Sequence, residues 1–84
     1  MDKCAFKITV VIPAYNEANR IISTINQVKP YVDEIIVIDD ASLDATAMLA
    51  KKCGATVLTQ TKNKGYINAI KLGFKKASGK IIVL

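Results

Sequence analysis

Short, nearly uninterrupted apolar runs alternate along the chain with longer segments in which apolar residues recur every three or four positions. The runs are rich in β-branched side chains and are bounded by turn-forming or charged residues. This pattern is typical of strands that are buried on both faces of a sheet. Strands are therefore predicted at residues 8–12, 34–40, 55–60 and 80–84, with the weakest pattern in the third.

The first two segments between these strands predict helices with recognisable ends. Asn16 can cap the first helix through its side-chain oxygen, and Pro30 stops that helix. Ser42 can cap the second helix, with Asp44 favourably placed in the positive first turn and Gly54 at the end. Both helices are therefore expected to begin close to the ends of the preceding strands.

A third helix is predicted at residues 65–77, closed by Gly79. Its apolar residues are spaced for one buried face, formed by Ile67, Ile70, Phe74 and Ala77. The complete order is β-α-β-α-β-α-β, which requires a parallel sheet with right-handed crossovers. Because the sequence stops on the last residue of a buried strand, we expect it to be the N-terminal piece of a longer protein.

Composition narrows the class of protein. Of the 84 residues, 51% are hydrophobic and 23% are charged, which indicates one small globular domain rather than a disordered chain. No apolar run approaches the roughly 20 residues of a membrane span. The two cysteines, Cys4 and Cys53, lie far apart and histidine is absent, which excludes Cys/His zinc frameworks and Ser–His or Cys–His triads. Two reduced thiols favour a cytoplasmic location.

Charge is divided unevenly along the chain. Residues 51–84 contain eight lysines and no acid, whereas residues 1–50 contain all seven acids, and the net charge is +5. A solvated basic face is the favoured interpretation, because the lysines are spread widely and arginine is almost absent. A surface for nucleic acid or for a membrane is the alternative.

Candidate chemistry lies in the loops that follow the first two strands, where ligands bind in open α/β sheets. The first loop contains a ring at Tyr15, which can pack on a planar base, and a carboxylate at Glu17, which can accept hydrogen bonds from a ribose. A purely structural interpretation, with Asn16 as a cap and Glu17 as a first-turn acid, is equally compatible with this loop. In the second loop, Asp39 and Asp40 must point to opposite faces, so we expect one to be functional and the other structural. No G-x-G-x-x-G or P-loop motif is present.

Three motifs in order resemble those of the family 2 glycosyltransferases, which have the GT-A fold. Residues 10–17 (VVIPAYNE) resemble the opening motif, and residues 36–46 (IVIDDASLDAT) resemble the second motif, in which Ala41 replaces the usual glycine. The segment from Asn63 to Leu84 resembles the approach to the D-x-D motif. The closest subgroup is that of dolichol-phosphate mannosyltransferase-like proteins. The resemblance implies a three-layer α/β/α, Rossmann-like fold with the parallel strand order 3-2-1-4.

The resemblance also implies a nucleotide site. Within it, Asp40 would contact the base or ribose and Asp39 would be the structural partner. The positions that match the nucleotide-binding residues of the family are Pro13, Ala14, Tyr15, Glu17, Ile38, Asp39, Asp40, Lys64 and Gly65.

The family transfers a sugar from a UDP- or GDP-sugar to an acceptor, with Mg²⁺ or Mn²⁺ held by the D-x-D motif. That motif would begin just after Leu84, so residues 1–84 are expected to be the nucleotide-binding portion, without metal-binding or catalytic residues and inactive alone. The parent protein is expected in the cytoplasm or at the cytoplasmic face of a membrane, with a membrane-associated acceptor and no nucleic-acid partner. The strand at residues 80–84 would be an exposed edge through which chains can self-associate.

Two other functions remain as alternatives. A receiver-like phospho-signalling domain also alternates strands and helices, although it places its acid pair after the first strand. A basic nucleic-acid-binding module would use the lysines of residues 51–84.

Overall fold

The computed structural model describes residues 7–77 and 80–84 of the chain. Strands and helices alternate throughout this part of the protein, and a short 3₁₀ turn, Lys29–Tyr31, follows the first helix. The elements are β1 (Ile8–Ala14), α1 (Ile21–Val28), β2 (Glu34–Asp39), α2 (Thr46–Lys52), β3 (Thr56–Thr59), α3 (Tyr66–Lys76) and β4 (Lys80–Val83).

The described strands form one parallel sheet with the order β3-β2-β1-β4. This order confirms the predicted arrangement 3-2-1-4. β1 is a central strand, because Val10 pairs with Ile35 of β2 on one side and with Ile82 of β4 on the other. At the carboxyl end of the sheet, Ala14 pairs with Asp39, so the loops after β1 and β2 start side by side.

Alternation along the strands divides the core into two layers. On one face of the sheet, α1 and α2 cover a cluster that includes Val10, Ile12 and Val37, with Ile25 of α1 fully buried. On the other face, α3 covers a smaller cluster of Val11, Ile36, Ile38 and Ala69. Burial of both faces explains why the sequences of β1 and β2 are nearly continuous apolar runs rather than alternating ones.

The structure corrects the predicted starts of the first two helices. α1 begins at Ile21 and α2 at Thr46, and neither helix has a side-chain cap. Asn16 and Ser42 are therefore not caps. Each of these side chains instead binds the backbone of the other's loop, because the side-chain oxygen of Asn16 accepts the N–H of Leu43 and the hydroxyl of Ser42 accepts the N–H of Asn16.

The structure also corrects the predicted buried face of α3. Ile67 and Phe74 are 62% and 50% exposed, whereas Ala69 and Gly73 are buried against the sheet. The axis of α3 lies so close to β1 that a Cβ atom on Gly73 would be 2.3 Å from Cγ1 of Val11. Ala69 and Gly73 therefore form the closest contact with the sheet, whereas Ile67 and Phe74 lie to the side of it. The predicted Ala77 and also Leu72 pack against the same core cluster. The predicted stop at Gly79 lies outside the described residues.

Candidate functional site

Four of the nine predicted site residues meet at the carboxyl ends of β1 and β2. A cleft of about 120 Å³ opens there, and its walls are Pro13, Ala14, Tyr15, Asp40, Tyr66 and Ala69. From the sequence, four of these residues were predicted as nucleotide-binding positions, namely Pro13, Ala14, Tyr15 and Asp40. Tyr66, which forms an aromatic wall of the cleft, was not predicted from the sequence. Its position directly after Lys64 and Gly65, at the start of a helix, could have indicated it.

Glu17 lies at a different cleft from Asp40. This second cleft, of about 240 Å³, is on the α1 side of β1, and Pro13 and Ala14 line both clefts. One carboxylate oxygen of Glu17, Oε1, accepts hydrogen bonds from Nε and Nη2 of Arg20 at 3.1 and 2.9 Å. The second cleft therefore combines a carboxylate and a guanidinium beside the end of β1, and Leu84 is also part of its lining.

Asp40 organises the loop that brings Lys64 and Gly65 to the site. Its Oδ1 accepts hydrogen bonds from the side-chain amide of Gln60 at 2.7 Å and from the N–H of Lys64 at 2.8 Å. Its Oδ2 accepts the N–H of Gly65 at 2.9 Å. Gly65 has a φ of 88°, a left-handed conformation that glycine adopts without steric cost. Asp40 thus lines the cleft and also fixes the β3–α3 loop.

Asp39 and Asp40 lie on opposite faces of the sheet, as alternation along β2 predicted. Asp40 is on the α3 side with Ile38, which is fully buried beneath the cleft in the core cluster and does not line the cleft itself. Asp39 is 3% exposed, and its Oδ1 has no hydrogen-bond partner among the described residues. The side-chain hydrogen bonds to the β3–α3 loop are therefore made by Asp40, which was expected to contact the nucleotide, and not by Asp39, which was expected to be structural.

The loops after β1 and β2 are joined by side chains of the second motif. Three consecutive backbone N–H groups of the first loop donate to them: Asn16 to Ser42 Oγ at 2.8 Å, Glu17 to Thr46 Oγ1 at 2.9 Å, and Ala18 to Asp44 Oδ2 at 3.2 Å. In the opposite direction, the N–H of Leu43 donates to Asn16 Oδ1 at 2.8 Å. These four contacts are called the loop bridge below.

Asp44 and Thr46 form the inner part of the loop bridge. Oδ1 of Asp44 accepts the N–H of Thr46 at 3.0 Å and also its hydroxyl. The hydrogen bond from the Thr46 hydroxyl lowers the pKa of Asp44 below its ordinary value, the N–H groups of Thr46 and Ala18 add to this effect, and desolvation opposes it. Asp44 is therefore an anion at neutral pH and an effective acceptor.

Both bridged loops contain a residue with left-handed backbone. Asn16 has a φ of 52°, which asparagine tolerates better than most residues. Ala41 has a φ of 64° and stands where the resembled motif usually has glycine. A turn of this kind explains the usual glycine, because a Cβ atom makes the left-handed conformation costly.

Within residues 7–77 and 80–84, no group of three or more Cys, Asp or Glu side chains is arranged to hold a metal ion. None of the helices among these residues has the length and the apolar character that crossing a membrane requires.

The parallel sheet, with helices on both faces and a cleft at its carboxyl edge, defines the chain as an open α/β domain. Residues 9–84 match the model of the family described as "Glycosyl transferase family 2". The chain belongs to this family, which rules out the receiver-like alternative.

Individual relatives agree with this assignment. The chain is 35% identical to a dolichol-phosphate mannosyltransferase of Pyrococcus furiosus, with 93% of this chain and 24% of that protein covered. It is 31% identical to a dolichyl-phosphate β-glucosyltransferase of Drosophila melanogaster, covering 94% of this chain and 30% of that protein. The chain thus spans a quarter to a third of the length of these relatives.

A solved structure shares the fold. It is the glucosyl-3-phosphoglycerate synthase of Mycobacterium tuberculosis in complex with Mn²⁺, UDP-glucose and phosphoglyceric acid, with a TM-score of 0.86 and 31% identity. The match covers 98% of this chain and 33% of the synthase. The predicted GT-A-type α/β fold is confirmed by this similarity.

Proposed function

We propose that this chain is the nucleotide-binding portion of a glycosyltransferase that moves a sugar from a nucleotide-diphospho-sugar to an acceptor. The observation that carries the proposal is the convergence of Pro13, Ala14, Tyr15 and Asp40 on one cleft in a family 2 chain. In this cleft the ring of Tyr15 packs on the base, and the carboxylate of Asp40 accepts a hydrogen bond from the base or the ribose. Tyr66 supplies a second aromatic wall.

The remaining predicted residues act beside this cleft. Lys64 and Gly65 are held next to Asp40 by their backbone N–H groups. Oε1 of Glu17 accepts hydrogen bonds from Arg20. We propose that the other carboxylate oxygen, Oε2, accepts a hydrogen bond from a ribose hydroxyl. Ile38 and Asp39 support the strand end on which the site is built, since both are buried.

We further propose that Mg²⁺ or Mn²⁺ takes part in the reaction, where it would neutralise charge on the leaving diphosphate. The described residues do not form a metal site, so the ligands would be those of a D-x-D motif that follows residue 84. Support comes from the mycobacterial synthase, which was solved with Mn²⁺ and with Mg²⁺ in the presence of UDP. The residues of this chain bind and orient the nucleotide.

For the complete protein we propose a membrane-associated acceptor and a location at the cytoplasmic face of a membrane. Two relatives are named for dolichol-phosphate and dolichyl-phosphate, which supports a lipid phosphate as acceptor. A UDP- or GDP-sugar is the donor that the family resemblance favours.

The test is a titration of the ¹⁵N-labelled chain with UDP and GDP, followed by NMR, which detects weak binding. We expect shifts concentrated at Tyr15, Asp40, Lys64 and Tyr66, with saturation. Tyr15→Ala should reduce the affinity, whereas Tyr31→Ala should not, because Tyr31 is exposed on the 3₁₀ turn after α1. Absence of shifts at the cleft, or equal effects of the two tyrosine variants, would overturn the proposal.

A further inference from the structure

The loop bridge fixes a backbone segment that lies next to the cleft. Between the end of β1 at Ala14 and the start of α1 at Ile21, the chain has no strand or helix to hold it. Both candidate nucleotide contacts of this loop, Tyr15 and Glu17, lie in that stretch. Their positions therefore depend on the contacts that the neighbouring backbone makes.

Besides the backbone hydrogen bonds from Arg20 and Ile21 to the carbonyl of Glu17, the contacts come from three polar side chains of the β2–α2 loop and the first turn of α2. The N–H groups of residues 16, 17 and 18 donate in sequence to Ser42, Thr46 and Asp44. These acceptors are the polar residues of the S-x-D-x-T part of the second motif. None of the three lines either cleft described above.

Thr46 is the centre of this arrangement. Its side chain is fully buried, and its hydroxyl accepts the N–H of Glu17 while donating to the carboxylate of Asp44. One hydroxyl thereby connects the β1–α1 loop to the start of α2. The lowered pKa of Asp44 is consistent with this geometry, because every donor around the carboxylate favours its charged form.

We propose that Ser42, Asp44 and Thr46 are positioning residues for nucleotide binding. They hold residues 15–18 in the binding conformation before the nucleotide arrives, without touching it. The inference rests on the function proposed above. Its physical basis is that ordering a loop at the moment of binding costs affinity, whereas a loop that is already ordered does not incur that cost. A loop without the bridge should therefore bind the same nucleotide more weakly.

The chain contains a matched control for Thr46. Thr9 is also fully buried, and its hydroxyl donates to a carboxylate as well, Oε1 of Glu34 at 2.7 Å. Thr9 is near the start of β1, at the opposite end of the strand from the cleft. Thr46→Val and Thr9→Val thus remove the same hydroxyl from equally buried sites, and only the first removes a contact of the loop bridge.

The experiment measures three quantities for the wild-type chain and for both valine variants. These are the dissociation constants for UDP and GDP by NMR titration, the melting temperature, and the hydrogen-exchange rate of the Glu17 amide. We expect both variants to melt at lower temperature. Only Thr46→Val should weaken nucleotide binding, by roughly threefold to tenfold, and accelerate exchange at Glu17. Thr46→Ser, which keeps the hydroxyl, should restore both.

Equal nucleotide affinity in Thr46→Val and Thr9→Val would overturn the positioning role. If Thr46→Val does not fold, Ser42→Ala gives the same comparison, since it removes only the acceptor for Asn16 in an exterior loop. Failure of the wild-type chain to bind either nucleotide would instead overturn the proposed function. In that case the exchange rate at Glu17 still shows whether the bridge orders the loop.

Discussion

At the end of β2, two adjacent carboxylates have opposite surroundings. Asp40 receives three hydrogen bonds from residues 60, 64 and 65 and lines the cleft. Asp39 is buried on the other side, and its Oδ1 has no partner among the described residues. A buried acceptor without a partner generally costs about 1–3 kcal/mol. The two residues should therefore respond differently to loss of charge.

We predict that Asp40→Asn lowers both nucleotide affinity and the melting temperature. An amide has a single acceptor oxygen, so it cannot satisfy all three donors and also bind the nucleotide. Loss of a charged hydrogen bond costs about 1.5–3 kcal/mol, or roughly 10- to 150-fold in affinity. Asp39→Asn should act mainly on the melting temperature and leave the nucleotide affinity nearly unchanged. Calorimetric titration with UDP and GDP and thermal melts measure the two effects.

The opposite pattern would invert these assignments. It would consist of lost binding at an unchanged melting temperature in Asp39→Asn, together with normal binding in Asp40→Asn. If neither substitution changes the affinity, this loop does not contact the nucleotide.

Which residues face the cleft was predictable in part. The two-residue period of a strand was sufficient to place Asp39 and Asp40 on opposite faces. The partners of Asn16 and Ser42 were not predictable in the same way. Local rules assign such side chains to helix caps, whereas here each binds a backbone N–H more than twenty residues away along the chain. Only the three-dimensional proximity of the loops decides between the two outcomes.

The order and type of the elements followed from the sequence, but the packing of α3 did not. Four β-branched or apolar runs separated by helical segments leave a parallel sheet as the consistent arrangement. The periodicity of α3 pointed to a face formed by Ile67, Ile70, Phe74 and Ala77 as the contact with the sheet. The structure places Ala69 and Gly73 there, because the distance between a helix and a strand is determined by the smallest residues at the contact.

We predict that Gly73→Ala destabilises the fold. Alanine in a helix interior is favoured over glycine by up to about 1 kcal/mol. At this position, however, the new Cβ would lie 2.3 Å from Cγ1 of Val11, and overpacking of a core typically costs about 1–3 kcal/mol. The steric cost should exceed the gain in helix propensity. Denaturant unfolding of Gly73→Ala, Val11→Ala and the double variant measures the balance.

The double variant is the control, because Val11→Ala removes the methyl groups that the new Cβ meets. The double variant should be more stable than the sum of the two single losses predicts. Additive losses would mean that the helix moves away from the strand without difficulty, and a stabilised Gly73→Ala would contradict the close contact.

At the scale of the whole molecule, one edge of the sheet is formed by β4. Ile82 and Leu84 are both about half exposed, and among the residues that the structure describes β4 pairs with β1 alone. Edge strands of apolar sequence are templates for pairing with another chain. The net charge of +5 opposes association only weakly, because salt screens the repulsion between chains.

We predict that the chain self-associates through β4 at high concentration. Ile82→Lys should suppress association, because a lysine on an edge strand disfavours pairing. Ile22→Lys is the control: Ile22 is exposed on helix α1 rather than on a strand, and the two substitutions change the net charge equally. Sedimentation velocity over a range of concentrations should show larger species for the wild type and for Ile22→Lys, and a monomer for Ile82→Lys.

A wild-type chain that remains a monomer at high concentration and melts cooperatively would contradict the prediction, because it would show that the β4 edge is protected in solution. Equal suppression by both lysines would show instead that added charge, rather than the edge, controls association.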